Sequence, residues 1–160
     1  MTIREQLTFL AEQLAPWAIE FKGRVEIAAD PLHVLGLIST APGSPRLVLM
    51  FEGEEKRGEY EETGKVDRKF IVVVSRGRGL QLQPGENLIT GSAGGQPLYD
   101  LIEQAREMVR GLVFDRETTD GIPDYTATSR LKLEDSTVDA YQIEFSIGVQ
   151  LPLHHQEEIA

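Results

Sequence analysis

Apolar and polar residues alternate most regularly in "AYQIEFSIGVQLP", residues 140–152, where Tyr141, Ile143, Phe145, Ile147, Val149 and Leu151 are separated by Gln142, Glu144, Ser146, Gly148 and Gln150. A period of two predicts a strand with one face on a core and the other on water or a polar lumen. The odd residues are its inward row. "YTATSRLKLE", 125–134, predicts a strand before it. The short turn "DSTVD", 135–139, joins the two into a closing hairpin, with Ala127, Ser129, Leu131 and Leu133 as a weaker inward row.

Elsewhere the period changes. Leu7, Leu10, Ala11 and Leu14 recur at three- and four-residue spacing, which predicts a helix over 5–15. Thr2 and Glu5 stand at the spacing of a capping box, and Pro16 is expected to interrupt the helix. "RVEIAA" (24–29) and "HVLGLIS" (33–39) read as short strands. "RLVLMFE", 46–52, reads as a strand covered on both faces or lying in a subunit contact, and the β-branched run "FIVVVS", 70–75, as another strand. Leu98, Leu101, Ile102, Ala105, Val109, Leu112 and Val113 mark one face of a helix with Pro97 in its first turn. Between these elements, "GEEKRGEYEETGKVDRK" (53–69) is too polar for a core and reads as an exposed hairpin arm or loop. Residues 76–97 read as a long loop, 115–124 as a polar connector and 152–160 as a flexible tail. The order predicts a single α+β domain over 1–160, with a mainly antiparallel sheet and two helices packed on one face.

Composition narrows the functional classes. The chain has 160 residues, a formal net charge of −10 and no cysteine. Disulfides and thiolate chemistry are excluded. The acidic balance opposes a phosphate-gripping nucleic-acid binder, although like charge suits a surface that DNA must slide past. No run approaches the roughly 18 apolar residues of a membrane span, and the N-terminus does not read as a signal peptide.

Candidate chemistry is sparse. "GSAGGQP", 91–97, lacks both Walker and dinucleotide-binding spacing. "RGRG", 76–79, offers Arg76 and Arg78 to a carboxylate or phosphate, or to an intersubunit salt bridge. Glu52, Glu54, Glu55, Glu59, Glu61 and Glu62 are interleaved with Lys56, Arg57 and Lys65, a solvated pattern. His33, His154 and His155 show no zinc spacing, and no serine sits in a G-x-S-x-G elbow. No cofactor or metal is expected and no catalytic residue is singled out.

The segments "KFIVVVSRGRG", "LYDLIEQAREMVRGLV" and "YTATSRLKLEDSTVDAYQIEFSIGVQL" together resemble the tail terminator (tail completion) proteins of long-tailed bacteriophages and related minor tail proteins, over roughly residues 46–151. The resemblance implies a structural, non-enzymatic virion protein, present in the host cytoplasm during assembly. It would form a homohexameric ring at the head-proximal end of the tail tube, stop tube polymerisation and offer a head-joining surface. Implied partners are further copies of the chain, the tail tube protein and a head–tail connector protein, with DNA passing through the lumen. On this reading the interface residues are Glu54, Glu55, Tyr60, Glu61, Lys65 and Arg68 of the arm, Arg76 and Arg78 pairing with acids of a neighbour, and Asp115, Arg116 and Asp120 of the connector. Alternatives are another minor tail or connector protein, a non-viral binding module with an apolar cavity lined by Trp17 and Phe21, and a small hydrolase or metal enzyme built on Glu54, Glu55, Glu61 and Glu62.

Overall fold

The computed structural model describes residues 1–39, 44–57, 64–79, 85–91, 95–133 and 137–152. The elements run α1 (Ile3–Phe21), β1 (Arg24–Ala28), α2 (Pro31–Ser39), β2 (Arg46–Lys56), β3 (Lys65–Gly77), α3 (Glu86–Ile89), α4 (Leu98–Arg110), β4 (Asp124–Arg130) and β5 (Val138–Gln150). The fold is α+β, as the residue pattern predicts. Its five strands form one mixed sheet in the order β1-β2-β3-β5-β4. β1 is parallel to β2, and every other neighbouring pair is antiparallel.

The sheet separates two cores by the alternation of its side chains. Leu47, Leu49, Phe70, Val72, Val74, Ile143, Phe145, Ile147 and Val149 pack against α1 and α4. Phe70 and Phe145, paired across β3 and β5, stack at 5.7 Å between ring centroids. Trp17 is fully buried and its indole N–H donates to the Leu101 carbonyl at 3.2 Å, joining α1 to α4. The Thr2–Glu5 capping box closes the start of α1.

The second core lies on the opposite face, where Val34 and Ile38 of α2 meet Val48, Met50, Ile71, Val73 and Ala140. Residues 33–39 are therefore helix, not the expected strand. The Asp30 carboxylate accepts the His33 N–H at 2.8 Å, Pro31 occupies the first turn, and only the i, i+4 pair Val34 and Ile38 is buried. The α1–α4 pair does share one face, but the sheet carries a helix on its other face as well.

Further expectations change for local reasons. α1 continues through Pro16 to Phe21. Pro16 is solvent-exposed, so water can serve the carbonyl that loses its N–H partner. α1 ends where Lys22 adopts a left-handed conformation, φ 55°. α4 ends at Arg110, so Leu112 is buried beyond the helix and Val113 is exposed. The arm is a paired hairpin as far as Lys56 and from Lys65, and β3 bonds β5 on its other side throughout, so Lys65–Lys69 lie inside the sheet. Within 76–97, Arg76 and Gly77 belong to β3, and Asn87 and Leu88 of α3 are buried. A register shift between Tyr125 and Ala127 sets Ala127 opposite Glu144 and Ser129 opposite Gln142. The row Ala127, Ser129, Leu131 consequently lies on the α2 side, opposite to the inward row of β5.

Candidate functional site

Among the described residues, three polar networks and two open sheet edges contain most of the expected interface residues, and a separate pair joins the buried Arg46 to Glu26 at 3.1 Å. The first network stands where the arm meets the connector. Arg57 Nε donates to Asp67 Oδ1 at 3.0 Å and Nη1 donates to Asp120 Oδ2 at 2.6 Å. The hydrogen bonds it donates to Asp67 and then to Asp120 hold the guanidinium above its ordinary pKa. Gly148 of β5 makes room for this pair: a Cβ there would run into both the Asp120 carboxylate and the Arg57 guanidinium. A glycine inside a regular strand often marks such a close approach.

The second network buries Arg68, which donates to Glu54 Oε2 at 3.0 Å, Gln6 Oε1 at 3.0 Å and the Met1 carbonyl at 2.7 Å. Arg68 is only 6% exposed. It braces α1 against the arm instead of reaching outward. Lys69 pairs with Glu55 at 2.8 Å on the opposite face.

The third network closes on Asp139, 3% exposed. Arg78 Nη2 donates to it at 2.8 Å, Arg130 Nη2 at 3.1 Å and Asn87 Nδ2 at 3.1 Å. Burial pushes this carboxyl up, but the hydrogen bonds from Arg78 and Asn87 and the two arginine charges outweigh it and hold the carboxyl below its ordinary value. The expected acid partner of Arg78 is thus in its own chain. Arg76, also buried, donates to the Gln96 carbonyl, bringing the "RGRG" and "GSAGGQP" motifs into contact.

The connector is not a free excursion either. Asp115 accepts the Glu117 N–H at 2.9 Å and the Thr118 hydroxyl at 2.7 Å. The Asp120 N–H donates to the Gly148 carbonyl and the Gln150 N–H to the Thr118 carbonyl, so this segment lies along the end of β5. Of the expected interface residues, Glu54, Glu55, Lys65, Arg116 and Asp120 are exposed, Asp115 and Arg78 are half-buried, and Arg68 and Arg76 are buried. Tyr60 and Glu61 lie outside the described residues. The residues that sequence reading passed over are Arg57, Asp139 and Gly148. Only Gly148 carried a signal, as a glycine between alternating apolar positions.

The remaining interaction surface is the sheet itself. β1 and β4 are its edges, and among the described residues no further strand pairs with either. Ile27 of β1 and Tyr125 of β4 are exposed at 41% and 39%. Because β1 runs with β2 and β5, and β4 against them, the two edges point in opposite directions. Beyond the reach of α2, its face of the sheet is polar, carrying Asp67, Lys69, Glu144, Ser146 and Ser129. No helix among the described residues is long and apolar enough to cross a membrane. Comparison with protein-family models and with curated protein sequences finds no match to this chain.

Proposed function

We propose that this chain is a structural tail protein of a phage or prophage, a tail terminator whose copies close into a ring at the head-proximal end of the tail tube. The observation that carries this reading is the opposed direction of the two open edges. Copies related by rotation about a common axis would lay β1 of one beside β4 of the next in antiparallel sense, continuing the dominant pairing of the sheet. Such a head-to-tail contact closes into a ring when the rotation fits. The polar face of the sheet supplies a lumen wall. Its mixture with excess acid suits passage of DNA without binding.

In this reading the arm and the connector, locked together by Arg57 and Asp120, form one end of each subunit and meet the tube protein or a connector protein. The test is light scattering on purified protein, alone and mixed with tail tube protein. A ring-sized species that caps tubes and limits their length is expected. A monomer that leaves tube growth unchanged overturns the reading.

A second reading, a small-molecule binding module, rests on a different cleft from the one expected. Trp17 is fully buried in the core and lines neither of two clefts that the described residues form on the sheet's faces, although Phe21 borders one of them. An apolar cleft of about 590 Å³ instead lies on the α2 face, between Val34 and Leu35 of the helix, Met50, Ile71 and Val73 of the sheet, and Leu131. Its volume is that of a ligand site. A metabolite that raises the melting temperature by specific binding there, in a protein that stays monomeric, favours this second reading.

A further inference from the structure

Residues on the two open edges stand in shared rows across the sheet. Ile27 of β1 pairs with Leu49, Leu49 with Val72, Val72 with Ile143, and Ile143 with Thr128 of β4. The same tracing carries Val25 to Arg130, Glu26 to Ser129 and Ala28 to Ala127. We propose that copies of this chain join in one fixed register, β1 of one antiparallel to β4 of the next, with Ile27 opposite Thr128. This seam rests on the ring reading above and goes beyond it by naming which residues meet.

Rotation about an axis running along the strands carries a copy sideways and leaves the height of every row unchanged. A residue on the β1 edge therefore meets the β4 residue of its own row in the next copy. Residue numbers rise from Val25 to Ala28 along β1 as they fall from Arg130 to Ala127 along β4, so the pairing is antiparallel. Arg24 falls opposite Leu131, whose N–H donates to the Ala140 carbonyl in the same row. The whole of β1 thus finds a partner.

Each row also keeps its face. Ile27 and Val25 share the α1–α4 side with Leu49 and Leu47, and Thr128 shares it through Ile143. Glu26 shares the α2 side with Ser129, through Val48 and Val73. The Tyr125 hydroxyl lies 2.6 Å from that of Thr128, which sets the tyrosine beside the seat of Ile27. In this register no like charges stand opposite each other. A slip of one residue would place Arg24 against Arg130 and turn Ile27 toward the wrong face of its neighbour. Exposed apolar residues also match along the seam. Ile27 and Leu32, on β1 and just after it, are 41% and 79% exposed, and Tyr125 and Ile122, on β4 and just before it, are 39% and 59% exposed. Antiparallel alignment brings the Leu32 end of one edge to the Ile122 end of the other.

The test is disulfide trapping, which is specific here because the chain has no cysteine of its own. Opposite residues of antiparallel strands have Cα atoms about 4.5–5.5 Å apart, within the roughly 4.4–6.8 Å that a disulfide spans. Within one chain, positions 27 and 128 lie at opposite edges of the sheet, about 19 Å apart by strand spacing, so a bond between them must join two copies. Ile27→Cys combined with Thr128→Cys should give, on oxidation, a ladder of covalent multimers that ends at the mass of the ring seen by light scattering. A mixture of the two single variants should stop at the covalent dimer. Ala28→Cys with Ala127→Cys, the next row, should give the same ladder and serves where the first pair disturbs assembly. Ile27→Cys with Thr126→Cys, or with Ser129→Cys, should give none. The melting temperature of each reduced variant is the folding control. A ring whose in-register pairs stay unlinked, or whose 27–126 or 27–129 pair links instead, overturns the seam and leaves the ring standing. A native chain that remains monomeric overturns both.

Discussion

At Gly148 a missing side chain decides a local structure. The Arg57–Asp67–Asp120 network can lie on the end of β5 only because no Cβ projects there. Gly148→Ala should therefore cost about 1–3 kcal/mol, the range for forcing extra volume into a packed site. Urea denaturation checks it, and the double variant with Arg57→Ala should lose less than the two single costs combined. Asp139 works by charge. Replacing it with Asn leaves the partly exposed Arg78 and Arg130 facing a neutral group and should cost about 1.5 kcal/mol, the low end for hydrogen bonds to a charged group. Its folded-state pKa lies below the unfolded value. The stability it adds is therefore complete above about pH 4 and is lost as pH falls through the depressed folded value. Acid denaturation of wild type against Asp139→Asn measures this: the variant should lack that part of the acid-induced loss. Neither network is legible in the sequence, because Arg57–Asp120 and Arg78–Asp139 join residues some sixty positions apart. A single strand of letters carries no register between distant elements.

Among the elements, those with a long period were legible. α1, α4, β3 and β5 follow from residue spacing, and the Thr2–Glu5 cap from two residues. α2 was misread because "HVLGLIS" is apolar on most positions and short, so its period is ambiguous. Asp30 and Pro31, a cap and a first-turn proline, were the better signal. β4 was placed correctly but its facing was not. One extra residue at Tyr125–Ala127 reverses which side chains face the core, and nothing in "YTATSR" announces it. Pro16 sits within α1 and leaves one turn without a backbone donor. Since α1 is helical through it, Pro16→Ala restores a backbone donor and should raise stability by about 1–3 kcal/mol. A thermal melt with an unchanged helical circular dichroism signal checks it. A drop in stability would mean that Pro16 contributes more by restricting the unfolded chain than it costs in the helix.

For the molecule as a whole, the edges of the sheet are where copies could meet. Natural sheets protect open edges with lysine, proline or bulges. Here β4 has a bulge, while β1 leaves Ile27 exposed. Ile27→Lys should leave the melting temperature within a few degrees of wild type, because the side chain is already partly in water. It should nevertheless abolish the ring species in light scattering. A ring that survives both this variant and Tyr125→Lys would have to be held by a surface other than the edges. The sheet also has unlike ends along its strands. Lys22, Arg24, Arg46, Arg76, Arg78 and Arg130 gather where β2 begins and β3 finishes. Glu52, Glu54, Glu55, Asp67 and Asp120 gather near the end of the arm, interleaved with Lys56, Arg57, Lys65, Arg68 and Lys69. Copies set side by side with a common strand direction would keep that difference, giving an assembly whose two mouths differ: one holds arginines tied to Glu26 and Asp139, the other a mesh of paired acids and bases. Each mouth would admit a different neighbour, and the particle would acquire a built-in sense of up and down from the direction of a single edge strand.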